Sequence, residues 1–159
     1  MKTLSLLLSV TVFSFSVNAQ QKITDDVPGK VLAAFSSKYP GAEVRNWKTG
    51  ENTYSAKFKT GNKSHCAFYS PGGAWLKTET KVQWTWNLPG EVKNALKSGG
   101  YAAWYIDNMK RVETPQQNIY VVHVDNANVL PGADYLNFKD DYNLYYNANG
   151  KLVKKELLP

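Results

Sequence analysis

Few side chains in this sequence are suited to acid–base or nucleophilic chemistry. His65 and His123 are its two histidines, and Cys66 is its one cysteine. The sequence has no serine nucleophile elbow, no phosphate-binding glycine loop and no paired metal-ligand histidines that would build a catalytic site from such groups. A single cysteine also excludes an internal disulfide and a zinc site made of several thiolates. We therefore expect a non-enzymatic binding protein, with an enzyme as the remaining alternative and Cys66 as a buried core thiol.

Carboxylates are the next candidates for chemistry, because acidic and amide side chains concentrate between residues 125 and 141. Such oxygens are the ligands of a hard cation such as calcium, but their spacing does not match an EF-hand loop. A solvated loop rich in turns explains the same residues. We expect no cofactor and keep calcium binding as an alternative, with these candidate ligands: Asp125, Asp134, Asp140 and Asp141.

Aromatic and charged side chains suggest recognition of a partner. Alternation along the predicted strands separates a face that carries Tyr54, Ala56 and Phe58 from a more polar face. We expect the polar face to be open and to bind another protein, because aromatic side chains mixed with charges are typical of protein interfaces. The predicted partner-binding residues are Trp47, Lys57, His65, Tyr69, Trp75, Lys77, Tyr105, His123 and Tyr146.

Two other interpretations of that face remain open. It could be a plain solvated surface, or its exposed aromatic residues, Trp47 and Trp75 among them, could form flat platforms for carbohydrate. The opposite face is expected to pack under helices. In that interpretation the core is extended by Cys66, Phe68, Leu76, Tyr145 and Val153.

The helices and strands that position these side chains are predicted from two similar stretches of sequence. Residues 27–35 are echoed by residues 88–96, and residues 68–77 by residues 145–154. A period of roughly 60 residues indicates a duplicated supersecondary unit, because it is too long for a solenoid repeat. We predict one repeat over residues 24–86 and a second over residues 87–159. Each would contain a helix that begins near a proline, Pro28 or Pro89, followed by antiparallel strands and, in the second repeat, a loop insertion between Asn126 and Asp141.

The first residues have the pattern of a secretory signal peptide. Lys2 precedes an apolar run that ends at Val17-Asn18-Ala19, a small-residue cleavage site. We predict a signal peptide over residues 1–19 and one mature domain over residues 20–159, located in the periplasm or secreted. No later stretch approaches the length of a spanning helix, so stable membrane insertion is not expected after cleavage. The net charge is +6 without a basic run, and nucleic acid is not an expected partner.

The motifs of both repeats resemble a known family. The helix opening Val27-Pro28, the stop at Tyr39-Pro40-Gly41 and the hairpin with Gly73 and Trp75 occur in that order. Over residues 24–156 the chain is similar to the beta-lactamase-inhibitor-like, PepSY-like periplasmic proteins. The resemblance implies an α+β fold in which two tandem helix-plus-strands repeats form one curved antiparallel sheet with both helices on one face. It also implies an unidentified protein partner on the open face, such as a periplasmic or secreted hydrolase, without identifying any binding residue.

Overall fold

A helix followed by four strands occurs twice along the chain. The structure, a computed structural model, describes residues 26–126 and 140–158, so the predicted signal peptide and the candidate ligand Asp134 lie outside the described residues. The elements are α1 (Gly29–Lys38), β1 (Val44–Thr49), β2 (Tyr54–Thr60), β3 (Lys63–Tyr69), β4 (Trp75–Lys81), a 3-10 turn (Thr85–Asn87), α2 (Gly90–Ser98), β5 (Tyr105–Glu113), β6 (Asn118–Asp125), β7 (Asp141–Asn147) and β8 (Leu152–Leu157).

All eight strands form one antiparallel sheet in which each strand pairs with the next along the chain. This confirms an α+β protein with an open sheet, whereas the internal duplication and the curvature of the sheet stay predictions. The sequence pattern predicts a long fourth strand from Ala74 toward Trp86, but β4 ends at Lys81 because the chain leaves the sheet there to reach α2. Neither helix in the described ranges is long and apolar enough to cross a membrane.

Both helices begin at their prolines, as predicted. Pro28 and Pro89 immediately precede the first helical residues. Proline is tolerated there because its missing N–H would have no partner inside the helix. Val31 and Phe35 in α1 are buried four residues apart, and Val92 has the same role in α2. This spacing places Val31 and Phe35 on one side of α1, and the buried side of each helix packs on the sheet.

The two helices pack on the same side of the sheet. One cluster joins α1 to Ala56, Phe58 and Tyr69, and a second joins α2 to strands β5–β7. A single cross-strand row connects the clusters, and antiparallel partners share a face. We call this side the helix face and the other side the open face. The row runs through Phe58, His65, Thr80, Arg111, Tyr120 and Tyr146.

A glycine in each half lets a hairpin approach a helix closely. Gly73, between β3 and β4, has φ +88°, and a Cβ there would lie 2.8 Å from the carbonyl oxygen of Lys30 in α1. Gly150, between β7 and β8, has φ +76°, and its Cβ would lie 2.4 Å from the carbonyl oxygen of Glu91 in α2. Both positions combine a left-handed backbone with a contact that admits no side chain, so only glycine fits.

The strand registers overturn part of the predicted core. Phe58 pairs with His65 and Ala56 pairs with Ala67, so the odd-numbered residues of β3 lie on the helix face. A shift of one residue moves every side chain of a strand to the other face. The prediction was wrong for Cys66, Phe68 and Tyr145, which lie on the open face, and for Leu76 and Val153, which are 40% and 50% exposed.

Candidate functional site

The predicted partner-binding residues are divided between the two faces. Lys57, Lys77, Tyr105 and His123 lie on the open face, as expected. The others lie on the helix face, so their predicted place on an open surface was wrong, because the registers of β1, β3, β4 and β7 turn them toward the helices. These residues are Trp47, His65, Tyr69, Trp75 and Tyr146.

Trp75 and Trp47 pack against α1 and are not part of an open surface. The Trp75 indole Nε1–H donates a hydrogen bond to Thr78 Oγ1 at 2.9 Å, and Lys38 Nζ from α1 lies 3.5 Å from the ring centroid. Trp47 likewise contacts Phe35 of α1 edge-to-face, with 5.6 Å between ring centroids. Both indoles therefore pack beneath α1, and the predicted carbohydrate platform made of these two residues does not exist.

The open face has an apolar floor over which the described residues place no helix. Ile119 and Val121 are only 8% and 5% exposed, although both helices lie on the other side of the sheet. Val112 is the cross-strand neighbour of Ile119, and Tyr145 is the neighbour of Val121. The described residues place no helix above these side chains. Ile119 and Val121 are too buried to be touched directly, so the half-buried Val112 and Tyr145 provide the apolar surface that a docked partner would contact.

Charged side chains beside the floor are held in defined positions. Glu79 accepts hydrogen bonds from Lys77 at 2.6 Å and from Lys110 at 3.0 Å. Burial works to raise the pKa of Glu79, but the two lysine hydrogen bonds outweigh it and lower the pKa. Tyr145 donates a 2.6 Å hydrogen bond to Glu156, which raises the pKa of Tyr145 to about 12. The carboxylates stay ionised and the side chains are ordered before any partner arrives.

A cavity of about 490 Å³ lies at the β1–β5 end of the open face, and its charge is mainly positive. Glu79 is the one carboxylate in its lining and is already paired with two lysines. Cys66 is also in the lining, where burial raises the pKa of its thiol and so weakens it as a nucleophile. The basic side chains around the cavity are Arg45, Lys57, Lys59, Lys81 and Lys110.

The opposite end of the open face carries acidic groups around a histidine. His123 Nδ1 lies 3.2 Å from Asp107 Oδ2, and His123 Nε2 lies 2.7 Å from Asp141 Oδ1. Asp125 is the cross-strand neighbour of Asp141. Within residues 26–126 and 140–158, no group of three or more acidic, histidine or cysteine side chains is placed to hold a metal ion. Calcium binding, with Asp140 and the other candidates, stays an untested prediction.

A pair of exposed tryptophans was missed by the sequence analysis. Trp84 immediately precedes the 3-10 turn, Trp86 is its middle residue, and the two side chains are 55% and 67% exposed. Their rings stack with 5.0 Å between centroids and 7° between planes. The signal was present in the sequence as two tryptophans separated by one residue. The pattern that predicts a strand from Ala74 toward Trp86 includes both tryptophans, and so it gives no sign of a separate exposed pair.

Comparison with solved structures shows where this fold occurs. A DUF2874 family protein from Bacteroides ovatus is 32% identical, with 82% of this chain and 86% of that chain covered and a TM-score of 0.71. A protein from Bacteroides eggerthii that is described as periplasmic is 20% identical, with coverages of 82% and 88% and a TM-score of 0.69. A BLIP-like protein from Bacteroides fragilis is 22% identical, with coverages of 82% and 86% and a TM-score of 0.70. The last two similarities show the fold alone.

The family is shown by sequence as well. None of the curated proteins matches this chain. The profile of the beta-lactamase-inhibitor-like, PepSY-like family, however, matches residues 52–154, from the start of β2 into β8. That range contains α2 and nearly all of the open face. Together with the 32% identical structure, this match shows that the chain belongs to the beta-lactamase-inhibitor-like, PepSY-like family.

Proposed function

We propose that this chain is an exported, non-enzymatic protein that binds another protein on its open face. The observation that carries the proposal is the apolar floor, whose half-buried Val112 and Tyr145 lie on the side of the sheet where the described residues place no helix and are bordered by ordered charges. An apolar centre within a polar rim is the usual anatomy of a protein interface. The predicted signal peptide over residues 1–19 and the structural relative described as periplasmic support export.

The charges on the open face indicate the kind of partner. Arg45, Lys57, Lys59 and Lys81 surround the cavity and have no carboxylate within ion-pair distance among the described residues. Unpaired cations attract an acidic surface and accelerate encounter, whereas the apolar floor slows dissociation. The partner therefore presents acidic side chains to the β1–β5 end of the sheet.

The family description supports an exported hydrolase as that partner, held in an inhibitory complex. No residue of this chain needs to take part in catalysis for that role, since an inhibitor acts by covering the active site of the enzyme. The fold alone does not transfer the activity, because one fold supports many functions. The proposal therefore rests on the open face, and inhibition has to be measured separately.

Capture followed by charge reversal tests the proposal. Mature protein, residues 20–159, is immobilised and exposed to a periplasmic extract, and the captured protein is purified for binding kinetics. Reversing Lys57 and Lys59 to glutamate should slow association at least about tenfold at low salt, with a smaller effect at high salt. The matched control reverses two exposed lysines away from the open face, Lys30 and Lys151, and should change association little.

Two outcomes would contradict the proposal. If both charge-reversal variants lose binding equally, the interaction is non-specific attraction to a basic protein. If neither loses binding, the partner docks elsewhere on the molecule. Inhibition is tested by adding the protein to the captured enzyme and to a beta-lactamase, and measuring the hydrolysis rate of each. A captured enzyme whose rate is unchanged at saturation would refute the inhibitory role while leaving binding in place.

A further inference from the structure

The stacked tryptophans beside α2 form a second surface that is independent of the open face. Trp84 covers one face of the Trp86 indole, because their planes are 7° apart with 5.0 Å between centroids. More than half of each side chain is nevertheless exposed to solvent. Large aromatic side chains normally bury most of their area, so an exposed stacked pair is unusual on a surface that binds nothing but solvent. Trp84 holds the Trp86 ring upright at the rim of a groove.

That groove has the size and lining of a small-ligand site. Its volume is about 310 Å³, and its wall is mainly apolar, with Trp86, Tyr101 and Ile106 among its residues. Pockets for small ligands begin at about 300 Å³ and combine apolar walls with a few polar groups. The polar groups here include Lys93 and Lys97, which lie one turn apart on α2. Among the described residues neither lysine has a carboxylate within ion-pair distance, so the groove favours an anion.

The same features make larger partners a poorer fit. A standard protein interface buries roughly 800 Å² on each side, far more than a groove of this size supplies. A membrane-surface helix needs a free apolar face, but Val92 and Leu96 turn the apolar side of α2 into the core. Recognition of anionic lipid normally uses four to eight basic residues, and only Lys93 and Lys97 line this groove. A compact ligand with one or a few negative charges fits better.

We propose that this groove binds a sugar ring that carries a carboxylate, as in a uronic acid unit of an acidic glycan. The apolar C–H face of the ring stacks on Trp86, and the carboxylate pairs with Lys93 or Lys97. Trp86 is 67% exposed, so the bound ligand keeps much of its edge in water. A hydroxylated sugar satisfies this arrangement because only its ring faces are apolar. Trp84 acts as a positioning residue that orders the Trp86 ring.

Calorimetric titration of the mature protein, residues 20–159, with trigalacturonate tests this assignment. Its fully methyl-esterified form, which keeps the rings and removes the charge, should bind about three- to tenfold more weakly, as expected for loss of exposed ion pairs. Trp86→Ala should weaken trigalacturonate binding at least about tenfold. Trp84→Ala should weaken it less, and Trp84→Phe should restore it in part. Tyr105→Ala, which removes an exposed aromatic residue from the open face, should leave it unchanged.

Folding is checked by thermal melts, which should be unchanged because neither tryptophan belongs to a core cluster. Absence of saturable trigalacturonate binding would overturn the proposal. Equal binding of triglutamate would show that the groove selects charge without a sugar, and would also overturn it. Tight binding to vesicles of anionic lipid, lost in Trp86→Ala, would assign the surface to a membrane instead. The charge-reversal test of the open face is unaffected by any of these results.

Discussion

Replacing Tyr69 with phenylalanine is expected to stabilise the protein. Tyr69 is fully buried between α1 and the sheet, and its hydroxyl has no hydrogen-bond partner among the described residues. Burial raises the pKa of Tyr69, so the group is neutral at any ordinary pH. A buried hydroxyl without a partner costs about 1–3 kcal/mol relative to the hydrated unfolded state. The ring itself contacts Phe35, with 6.4 Å between centroids, and phenylalanine keeps that contact.

We expect Tyr69→Phe to raise the free energy of unfolding by about 1 kcal/mol, the low end of that range, because removing the oxygen leaves a small void. For a domain of this size the melting temperature should rise by about 3–4 °C. Urea denaturation followed by tryptophan fluorescence gives the free energy, and differential scanning calorimetry gives the melting temperature. The slope of the urea transition should not change, since both proteins expose nearly the same surface.

Tyr146→Phe is the matched control. Tyr146 is buried under α2 as Tyr69 is under α1. Unlike the Tyr69 hydroxyl, its hydroxyl is not among the buried polar groups without a hydrogen-bond partner. Its substitution should change stability by less than about 0.5 kcal/mol in the favourable direction. A loss of 1 kcal/mol or more in Tyr69→Phe would refute the reasoning. It would mean that the hydroxyl has a partner, such as a buried water, whose hydrogen bond is worth more than the cost of burial.

Three further changes test other parts of the fold. Gly73→Ala should lower the free energy of unfolding by more than about 2 kcal/mol, whereas Gly61→Ala, also at positive φ but in open space, should cost only about 1 kcal/mol in urea denaturation. Phe58→Ala should cost about 3–5 kcal/mol, and an unchanged thermal melt would show that Phe58 is not core. Burial, helped by the charge of Arg111, lowers the pKa of His65, so stability is complete above about pH 6.5 and falls as the pH drops toward the folded value. His65→Phe should flatten the stability profile between about pH 7 and 5, and a profile unchanged by it would place the titrating group elsewhere.

The features that depend on local sequence were predictable. Pro28 and Pro89 mark the helix starts because proline suits the first turn and no later position in a helix. The strand order was predictable because successive antiparallel strands joined by short turns usually pair with each other. These signals do not depend on the rest of the fold, and they placed most of the helices and strands within a few residues.

The faces of the strands were harder to predict, for two different reasons. The turn between β2 and β3 spans an even number of residues, so it pairs Phe58 with His65 and was sufficient to assign β3. The apolar character of Phe68 suggested the wrong face because the open face also has an apolar floor. β7 follows the predicted insertion between Asn126 and Asp141, so the sequence offers no short turn that would fix its register. Tyr145 and Tyr146 are both aromatic, and only pairing with β6 shows which one faces the helices.

The separation of the two faces has a consequence for how such proteins diversify. The contacts that hold the domain together lie mostly between the helices and one side of the sheet. Exposed residues on the other side, such as Lys57 and Lys59, can change with little effect on folding. Relatives with only 20–32% identity still share this architecture. The proposed binding surface and the fold-stabilising core therefore use different residues, so a designer can randomise exposed positions of the open face without rebuilding the core.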